Sequence, residues 1–236
     1  MIKAVVTGHT RGLGAAVAAE LMARGIPVLG VARGHAESSE GMQQAVVDLG
    51  DAAALAAWLG GHTLASFLAG CDTALLVNNA GVVSPVGPLA EQDPVASLRA
   101  AIINVGAPLA LSSAFVQAAP QAQRRILHVS SGAARSAYPG WSVYCATKAA
   151  LDQHARAVSL DGDPRVLACS LAPGVIDTDM QAEIRATPDA RFPLKQRFVD
   201  MKEGGVLVAP SDCAVALVDY LLGKRFGQEP VDDLRN

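Results

Sequence analysis

The chain has 236 residues, of which 51% are hydrophobic and 17% are charged. This length and composition predict a single globular domain, residues 1–236, with a sizeable buried core. The formal net charge of −3 comes from acids and bases scattered along the chain. No basic stripe of the kind that binds phosphate backbones is present, which argues against a nucleic-acid partner.

The chain reaches a glycine turn before any apolar segment grows to the length of a signal peptide. No later run holds the roughly 18 uninterrupted apolar residues of a membrane span. We therefore expect a soluble cytoplasmic protein with no membrane association. The four cysteines lack CxxC spacing and the histidines never pair at the spacing of metal ligands, so we expect buried thiols and no metal site.

The chain repeats a pattern of a short apolar strand, a turn and a longer helical stretch. The predicted elements, in order, are a strand at 2–7, a helix from Gly12 to Arg24, a strand at 27–32 followed by a loop, one short helix within 49–61, a strand at 73–78, a helix near 92–99, a strand at 125–130, a helix around Tyr144, a strand at 165–172 and a last helix. Strands that are apolar on both faces and separated by helices predict a doubly wound parallel α/β sheet. Ligands of such sheets bind beyond the carboxyl ends of the strands.

The pattern loosens between residues 173 and 210, over a length too great for a simple connection. Excursions of this size often cover a binding site. We therefore predict a substrate lid at about 174–209, after the sixth strand. The final segment, GQEPVDDLRN, lacks a helical pattern and is expected to close the sheet with a short strand.

The segment TGHTRGLG, residues 7–14, lies between the first predicted strand and the first helix. Glycines at positions 8, 12 and 14 allow a tight turn and let a pyrophosphate approach the helix N-terminus, where free N–H groups favour an anion. Glycine-rich turns also occur for structural reasons alone, but this placement is typical of a dinucleotide site.

The second strand ends in GVARG, without the carboxylate that an NAD-preferring site usually offers to the ribose. Arg33, joined by Arg11 of the glycine turn, has the guanidinium geometry to pair with a 2′-phosphate instead. This pattern predicts NADP(H); the alternative is two solvated surface arginines. Asp48 lies at a position from which its side chain could reach the adenine. The alternative is that Asp48 is an ordinary turn residue.

The next strand ends in LLVNNAG, residues 75–81. The paired donor and acceptor of an asparagine side chain can lock neighbouring loops, and Gly81 permits close approach of a cofactor ring.

Tyr144 and Lys148 lie four residues apart in SVYCATKAALD, a spacing that places both on one face of a helix. A ketone that accepts a hydride develops alkoxide charge, and Tyr144 can donate its proton if the Lys148 ammonium and an oxidised nicotinamide lower the pKa of the phenol. Ser131 would hydrogen-bond the same oxygen. Asn104 is a candidate to hold a water that connects Lys148 to solvent. Each residue alone has an ordinary structural explanation, but the whole set in this order indicates an active site.

These motifs, with PGVIDTDM after the sixth strand, resemble those of the short-chain dehydrogenase/reductase family over essentially the whole chain. The resemblance implies a Rossmann fold and a catalytic tetrad of Asn104, Ser131, Tyr144 and Lys148. It also implies cofactor contacts at Gly8, Thr10, Arg11, Gly12, Leu13, Gly14, Arg33, Asp48, Asn79, Ala80, Gly81, Tyr144, Lys148, Pro173, Gly174, Val175 and Thr178.

A narrower resemblance is to the sepiapterin reductases and the similar bacterial benzil reductases, which use NADPH to reduce one carbonyl of a vicinal dicarbonyl. It is carried by PGWSVYCATKAALD, APGVIDTDMQAEIR and DMKEGGVL. By this resemblance Asp232 matches the aspartate that anchors the pterin, although Asp233 and Leu234 replace the aromatic residues that follow it there. The expected substrate contacts are Ser131, Tyr138, Trp141, Tyr144, Met180 and Asp232. Trp141 could equally pack under the lid.

The sequence thus predicts an NADPH-dependent carbonyl reductase for a small-molecule ketone, with a vicinal dicarbonyl preferred. Two alternatives stay open: a general reductase of the same family that acts on a 3-oxoacyl thioester or a sugar, and a non-catalytic regulator that binds NADP. The lack of a basic patch argues mildly against a carrier-protein partner. The resemblance also implies a homodimer or homotetramer, paired through the helices that begin near Asn104 and Tyr144.

Overall fold

The structure, a computed structural model, describes residues 1–36 and 41–236. The strands in this part of the chain are β1 (Ile2–Thr7), β2 (Val28–Ala32), β3 (Met42–Val46), β4 (Thr73–Asn78), β5 (Gln123–Val129), β6 (Val166–Ala172) and β7 (Val231–Asp233). They form one sheet in the order β3-β2-β1-β4-β5-β6-β7, and every neighbouring pair is parallel. The strand order reverses between β1 and β4, and such a switch point leaves a crevice for a ligand.

The connections between strands are mainly helical. The helices are α1 (Gly12–Ala23), α2 (Ala52–Leu59), α3 (Thr63–Leu68), α4 (Pro94–Ala101), α5 (Ala107–Ala118), α6 (Ser142–Val158), α7 (Asp179–Ala186), α8 (Lys195–Glu203) and α9 (Pro210–Leu222). A π-helical turn, Ile102–Gly106, joins α4 to α5, and a 3₁₀ turn, Gly132–Ala134, follows β5.

Both faces of the central strands are apolar, and helices cover both. In β1, Ala4 and Val6 lie in the core that α1 and α9 form with one face of the sheet, whereas Val5 lies in the core on the opposite face, with residues of α5. Burial on both faces is typical of parallel sheets with crossover helices. The doubly wound α/β fold predicted from the sequence is confirmed.

Most predicted elements agree with the structure. The strands predicted at 2–7 and 73–78 have these bounds as β1 and β4, and the last residues close the sheet as β7. The prediction missed β3, whose sequence MQQAV is half polar, because an edge strand does not need two apolar faces. It also missed α3, since six residues show no clear helical period. The segment predicted as a lid, 174–209, contains α7 and α8.

Helix α4, the π-helical turn and α5 form one continuous helical stretch, Pro94–Ala118. Among the described helices it is the one that is long and apolar enough to cross a membrane, a test of length and composition that core helices of globular proteins also pass. It packs on the sheet through Ala107, Leu111 and Phe115, which are fully buried. Only 33% of its most apolar 18-residue window is buried, so part of an apolar helix faces outward.

A polar layer lies between the sheet and α6. His128 of β5 is fully buried; its Nδ1 accepts a hydrogen bond from Asn78 Nδ2 at 3.2 Å, and its Nε2 lies 3.0 Å from His154 Nδ1 on α6. Because Nδ1 accepts a hydrogen bond, the ring proton of His128 is on Nε2, which donates a hydrogen bond to His154 Nδ1. Burial, reinforced by His154 and Lys148, lowers the pKa of His128 to about 3. The sequence did not pair these two histidines, since they lie on separate elements. Among the described residues no group of three or more His, Cys, Asp or Glu side chains is arranged to hold a metal ion.

His128 should make the protein less stable in acid. Between its ordinary pKa of 6.5 and about 3, the unfolded chain binds a proton at this histidine that the folded protein does not, so stability is lost as the pH falls through this window. The expected contribution at pH 5 is on the order of 2 kcal/mol. Urea unfolding between pH 5 and 8 measures it. His128→Asn should flatten the slope of stability against pH, whereas the exposed-site control His62→Asn should not; equal slopes would contradict the assignment.

Candidate active site

The carboxyl ends of β1, β4 and β5 meet at one edge of the sheet. Asn79, directly after β4, donates from Nδ2 to the Thr7 carbonyl at 2.9 Å, and its main-chain N–H donates to the Thr7 hydroxyl at 3.0 Å. The Ala80 N–H donates to the same hydroxyl at 3.0 Å. These bonds lock the loop after β4 to the glycine turn after β1, as the asparagine pattern predicted.

The glycine turn exposes the N-terminus of α1. Gly8 and Gly12 have φ values of +69° and +56°, which other residues rarely adopt, and a Cβ on Gly14 would lie 2.2 Å from the Gly8 carbonyl oxygen. Arg11 is the N-cap, but its side chain forms no cap hydrogen bond, and the first turn contains no acidic residue. The first N–H groups of α1 therefore fit the pyrophosphate of a nicotinamide dinucleotide. The two other predicted contacts in this turn are the half-buried Thr10 and the buried Leu13.

The adenosine end of the predicted cofactor site centres on Asp48. Its carboxylate accepts from Arg99 Nη2 at 2.8 and 3.1 Å and from the Gly50 N–H at 2.8 Å. The Arg99 hydrogen bond is the main reason why the pKa of Asp48 is lowered, and the charge of Arg33 contributes. The sequence analysis did not single out Arg99, because nothing in the sequence pairs α4 with the end of β3.

The two arginines predicted to bind a 2′-phosphate are both exposed. Arg33 follows β2, and Arg11 pairs with Asp179 at the start of α7 at 3.2 Å, with both side chains more than two-thirds exposed. Glu37, the nearest acid after β2 in the sequence, lies outside the described residues. Exposed guanidinium groups at both positions are compatible with a phosphate ligand.

His9 of the glycine turn was also missed by the sequence analysis. Its ring is buried against Gly30, where a Cβ would come within 2.5 Å of it, and its Nε2 lies 2.9 Å from Gln44 Oε1. The Gln44 amide also accepts from the Ala36 N–H at 2.8 Å and donates to the Ala36 carbonyl at 3.2 Å. His9 and Gln44 therefore hold the loop that contains Arg33 against the glycine turn.

Tyr144 and Lys148 lie in the first half of α6, over the end of β5. Lys148 Nζ donates to the carbonyl of Val129, the last residue of β5, at 2.7 Å, and lies 5.8 Å from the centre of the Tyr144 ring. Ser131 caps the 3₁₀ turn after β5: its Oγ accepts from the Ala133 N–H at 3.2 Å, and its side chain lies close enough to Tyr144 to lower the pKa of the phenol. The three side chains that the sequence singled out converge at one point.

Burial is the largest influence on the pKa values of Tyr144 and Lys148. It raises the pKa of Tyr144 to about 12, against a smaller lowering by the Ser131 hydrogen bond. It lowers the pKa of Lys148 to about 8, against a raising effect of Asp152. The sequence analysis expected the Lys148 ammonium together with an oxidised nicotinamide to lower the pKa of the phenol, and that combined effect stays a prediction. Among the protein groups alone, desolvation outweighs the favourable contact with Ser131. A protonated phenol is the form that can donate to a developing alkoxide.

The side chain of Asn104 joins three segments. Its Oδ1 accepts from the Val82 N–H at 2.9 Å, and its Nδ2 donates to the Val82 carbonyl at 2.8 Å and to the Thr147 hydroxyl at 3.1 Å. Its main-chain carbonyl lies in the π-helical turn, where the residue four positions on, Pro108, has no N–H to donate. Because the side-chain amide is engaged in these bonds, the main-chain carbonyl is the candidate to hold the predicted water.

Gly81 lies close to the ammonium group of Lys148. A Cβ at this position would lie 3.3 Å from Asn104 Oδ1 and 3.6 Å from Lys148 Nζ. The missing side chain leaves the ammonium accessible from this side, which fits the close approach of a nicotinamide and its ribose.

Comparison with known proteins agrees with this geometry. A family model described as short chain dehydrogenase matches residues 3–189, which include the glycine turn, Asn104, Ser131 and the Tyr144–Lys148 pair. The chain belongs to the short-chain dehydrogenase family. The family resemblance inferred from the sequence is confirmed, and the protein is an oxidoreductase of a family that binds a nicotinamide cofactor and acts on small molecules.

Three relatives span almost the whole chain. A benzil reductase ((S)-benzoin forming) of Bacillus cereus is 29% identical, with 96% of each chain covered. A sepiapterin reductase of Meriones unguiculatus is 32% identical, with 92% of this chain and 90% of the relative covered. A solved short-chain dehydrogenase/reductase from Burkholderia vietnamiensis is 48% identical with a TM-score of 0.72, covering 100% of this chain and 97% of that one.

In this short-chain dehydrogenase an aromatic cluster fills the space beside Tyr144. Trp141 stacks on Phe192 with ring centroids 4.6 Å apart, contacts Phe198 at 5.5 Å, and meets the Tyr144 ring edge-on at 5.3 Å. Only 4% of Trp141 is exposed. Its position favours the alternative of packing under the 174–209 segment, where it also supports the tyrosine ring.

The other predicted substrate contacts on this side are Tyr138 and Met180. Both are half-buried and pack at the border of the same cluster. The Tyr138 hydroxyl lies near Gly132, next to Ser131: a Cβ on Gly132 would be 3.9 Å from it. Tyr138 and Met180 therefore keep the partial exposure that a wall of a substrate pocket needs.

The predicted cofactor contacts after β6 lie near the glycine turn. A Cβ on Gly12 would lie 3.5 Å from the Thr178 methyl carbon, and Thr178 is the N-cap of α7. The buried Pro173 directly follows β6, Gly174 has φ +88°, and the Val175 carbonyl accepts from the Val208 N–H at 3.0 Å. The segment after β6 thus approaches the N-terminus of α1 from the other side.

Asp232, in β7, is engaged away from this cluster. Its Oδ2 accepts from the Tyr220 hydroxyl on α9 at 2.8 Å, and its Oδ1 accepts from the Asp233 N–H at 2.8 Å. No contact of Asp232 with Ser131 or Tyr144 occurs among the described residues. Its role as a substrate anchor stays a prediction from the resemblance.

Proposed function

We propose that this protein is an NADPH-dependent carbonyl reductase that reduces one carbonyl of a vicinal dicarbonyl. The observation that supports the reaction is the buried Tyr144, whose ring lies 5.8 Å from Lys148 Nζ and whose pKa is raised by burial and, to a smaller extent, lowered by the nearby Ser131 side chain. The intact set also weighs against the alternative of a non-catalytic NADP-binding regulator, which would not need a buried proton donor.

Each residue of the proposed site has a separate role in the reduction of the carbonyl group. The glycine turn and Arg33 would hold NADPH, which would supply the hydride for the carbonyl carbon. Tyr144 gives its phenolic proton to the carbonyl oxygen, and the Ser131 hydroxyl donates a hydrogen bond to the same oxygen as charge develops there. The Lys148 ammonium faces the phenolate that remains and stabilises it. The Asn104 carbonyl holds the water through which the lost proton is replaced.

The choice of a vicinal dicarbonyl rests on the relatives. The benzil and sepiapterin reductases share their reaction type with the proposal and match over most of the chain. Tyr138 and Met180 offer partly exposed apolar surface for a flat diketone next to Ser131. The segment 174–209 would act as the lid. The runner-up is a reductase of the same family for a 3-oxoacyl thioester or a sugar.

We propose NADP(H) rather than NAD(H) because the end of β2 offers a cation, Arg33, and Arg11 lies in the glycine turn. The guanidinium groups match a 2′-phosphate, whereas an unphosphorylated ribose would need an acceptor. A location in the cytoplasm stays a prediction from the sequence.

Turnover tests the function directly. Purified protein with NADPH should reduce benzil or sepiapterin, and Tyr144→Phe should lower kcat by about 10²–10⁴-fold, because the proton donor is lost while the ring remains. NADPH binding, followed by its fluorescence, should change little. The control Cys145→Ala alters the next residue on α6, whose Sγ faces the Ser136 carbonyl, and should keep kcat. Turnover of 3-oxoacyl thioesters without turnover of dicarbonyls would refute the substrate class, and unchanged turnover by Tyr144→Phe would refute the proton donor.

Cofactor choice is tested at Arg33. Arg33→Ala should raise the KM for NADPH about 10–100-fold, the effect of losing a charge-assisted hydrogen bond, and change that for NADH by less than about threefold. Arg165→Ala removes an exposed arginine at the opposite end of the sheet and should alter neither constant. Equal losses with both cofactors would remove Arg33 from the 2′-phosphate site.

We also propose a homodimer or homotetramer. Val95 and Leu98 of α4 are 73% and 64% exposed, on the apolar stretch that is only partly covered, and exposed apolar surface of this kind is typical of an interface. Light scattering at micromolar concentration should give a multiple of the chain mass, and Leu98→Glu should shift it downward. A wild-type monomer would contradict the proposal.

A further inference from the structure

A buried carboxylate that the proposed reaction does not use lies one helical turn after Lys148. Asp152 of α6 is 2% exposed, and its Oδ1 accepts from two serine hydroxyls, Ser130 at 2.8 Å and Ser170 at 2.7 Å. Its Oδ2 accepts from Arg135 Nε at 3.2 Å. A buried charge with this many donors is well compensated, but it still costs more than an apolar side chain in the same space.

The polar residues are confined to the end of the sheet near the active site. Along the face of β5 and β6 that α6 covers, Ile126 and Ala168 lie two residues before the layer that contains His128 and Ser170, and both belong to an apolar core. Apolar side chains alone are therefore sufficient to pack α6 against β5 and β6 farther from the active site. The change to Ser130, Ser170 and Asp152 occurs only beside Lys148 and Ser131.

The contacts of Asp152 hold both ends of one short segment. Ser130 immediately precedes Ser131, and Arg135 ends the 3₁₀ turn that Ser131 caps. Arg135 also donates from Nη2 to the Asp232 carbonyl at 2.9 Å, so the segment is fastened to β7 as well. The segment that places the Ser131 hydroxyl is thus fixed to the same helix that carries Tyr144.

We propose that Asp152 is a positioning residue of this active site, whose carboxylate fixes the segment that carries Ser131 and supplies the negative charge that faces Lys148. The proposal rests on the function proposed above. Asp152 touches neither the carbonyl nor the cofactor site; it acts through Ser130, Arg135 and Lys148.

The electrostatic part follows from the groups around Lys148. The described titratable groups that face it are Tyr144 and Asp152 on α6 and His128 on β5. Tyr144 and His128 are neutral near pH 7, since burial shifts the pKa of each toward its uncharged form. Burial lowers the pKa of Lys148, and Asp152 opposes that shift. Without the carboxylate, Lys148 loses its proton at a lower pH.

The variant Asp152→Asn distinguishes a positioning role of the carboxylate from a role in fold stability alone. With a dicarbonyl and NADPH, at a temperature where thermal unfolding shows the variant folded, kcat should fall about 10–100-fold, the effect of a misplaced catalytic group. The KM for NADPH should change less than about threefold. The alkaline limb of the kcat profile, where Lys148 deprotonates, should move by roughly one pH unit to lower pH. A residue that only stabilises the fold would leave that limb in place.

If Asp152→Asn does not fold, alanine variants of the two serines provide a matched pair of test and control. Ser130→Ala and Ser170→Ala each remove one buried donor to the same oxygen, at nearly equal distances, but only Ser130 lies next to Ser131. Ser130→Ala should lower kcat at least about tenfold, and Ser170→Ala less than about threefold, for similar losses of stability. Both keep the carboxylate, so the alkaline limb should stay in place. Equal effects on kcat would overturn the positioning role.

The titration of Lys148 can also be measured without turnover. The other lysines are Lys3, Lys195, Lys202 and Lys224, so lysine labelled with ¹³C at Cε gives a simple spectrum, in which Lys148→Met identifies the signal. A lower midpoint in Asp152→Asn supports the proposal, and an unchanged midpoint overturns its electrostatic part. If the wild-type protein reduces no dicarbonyl, the proposed function is refuted. If the wild type is active and Asp152→Asn is equally active, with the alkaline limb of its kcat profile at the same pH, only this inference is refuted.

Discussion

The hydrogen bond from Lys148 Nζ to the Val129 carbonyl joins the helix that carries Tyr144 to the strand that leads to Ser131. The bond is buried, so each partner would be left with a costly unsatisfied group if it broke. It sets how far α6 can shift along β5. Because Tyr144 precedes Lys148 by one turn, the same bond places the phenol within reach of the Ser131 hydroxyl. Asn104 and Gly81 lie on the other side of the ammonium, where the missing side chain of Gly81 leaves it accessible.

This arrangement requires a polar layer inside an otherwise apolar sandwich. The inner sheet is held by Val, Leu, Ile and Ala side chains on both faces, whereas the end of the sheet under α6 contains His128, Ser130 and Ser170, which face Asp152 of α6 or lie beside it. Their hydrogen bonds to each other, and to Asn78 and Arg135, compensate the loss of water. Such networks specify one geometry, because a shift of any member leaves another without a partner.

The sequence predicted those parts of the molecule that depend on local patterns. Apolar strands between helices indicated the sheet, and the glycine turn, NNAG, Ser131, Tyr144 and Lys148 have fixed positions relative to predicted strands and helices. It did not predict contacts between segments distant in the chain. The pairing of Arg99 with Asp48, of His9 with Gln44 and of His128 with His154 depends on which strands and helices become neighbours, and each partner alone looks like a common surface or core residue. The desolvation of Tyr144 is of the same kind: it depends on everything packed around the ring, and the aromatic cluster of Trp141 comes partly from the segment after β6.

Burial shifts the pKa of both central groups toward their uncharged forms. With a pKa of about 12, Tyr144 is protonated near neutral pH, which is the state needed to give a proton to a carbonyl oxygen. The same burial disfavours the phenolate, and a positive charge beside the ring opposes that effect. Lys148, with a pKa of about 8, is mostly charged at neutral pH, but by a margin of only about one unit. The carboxylate of Asp152 opposes the loss of that charge, and so the buried network beneath the site bears on its chemistry as well as on its geometry.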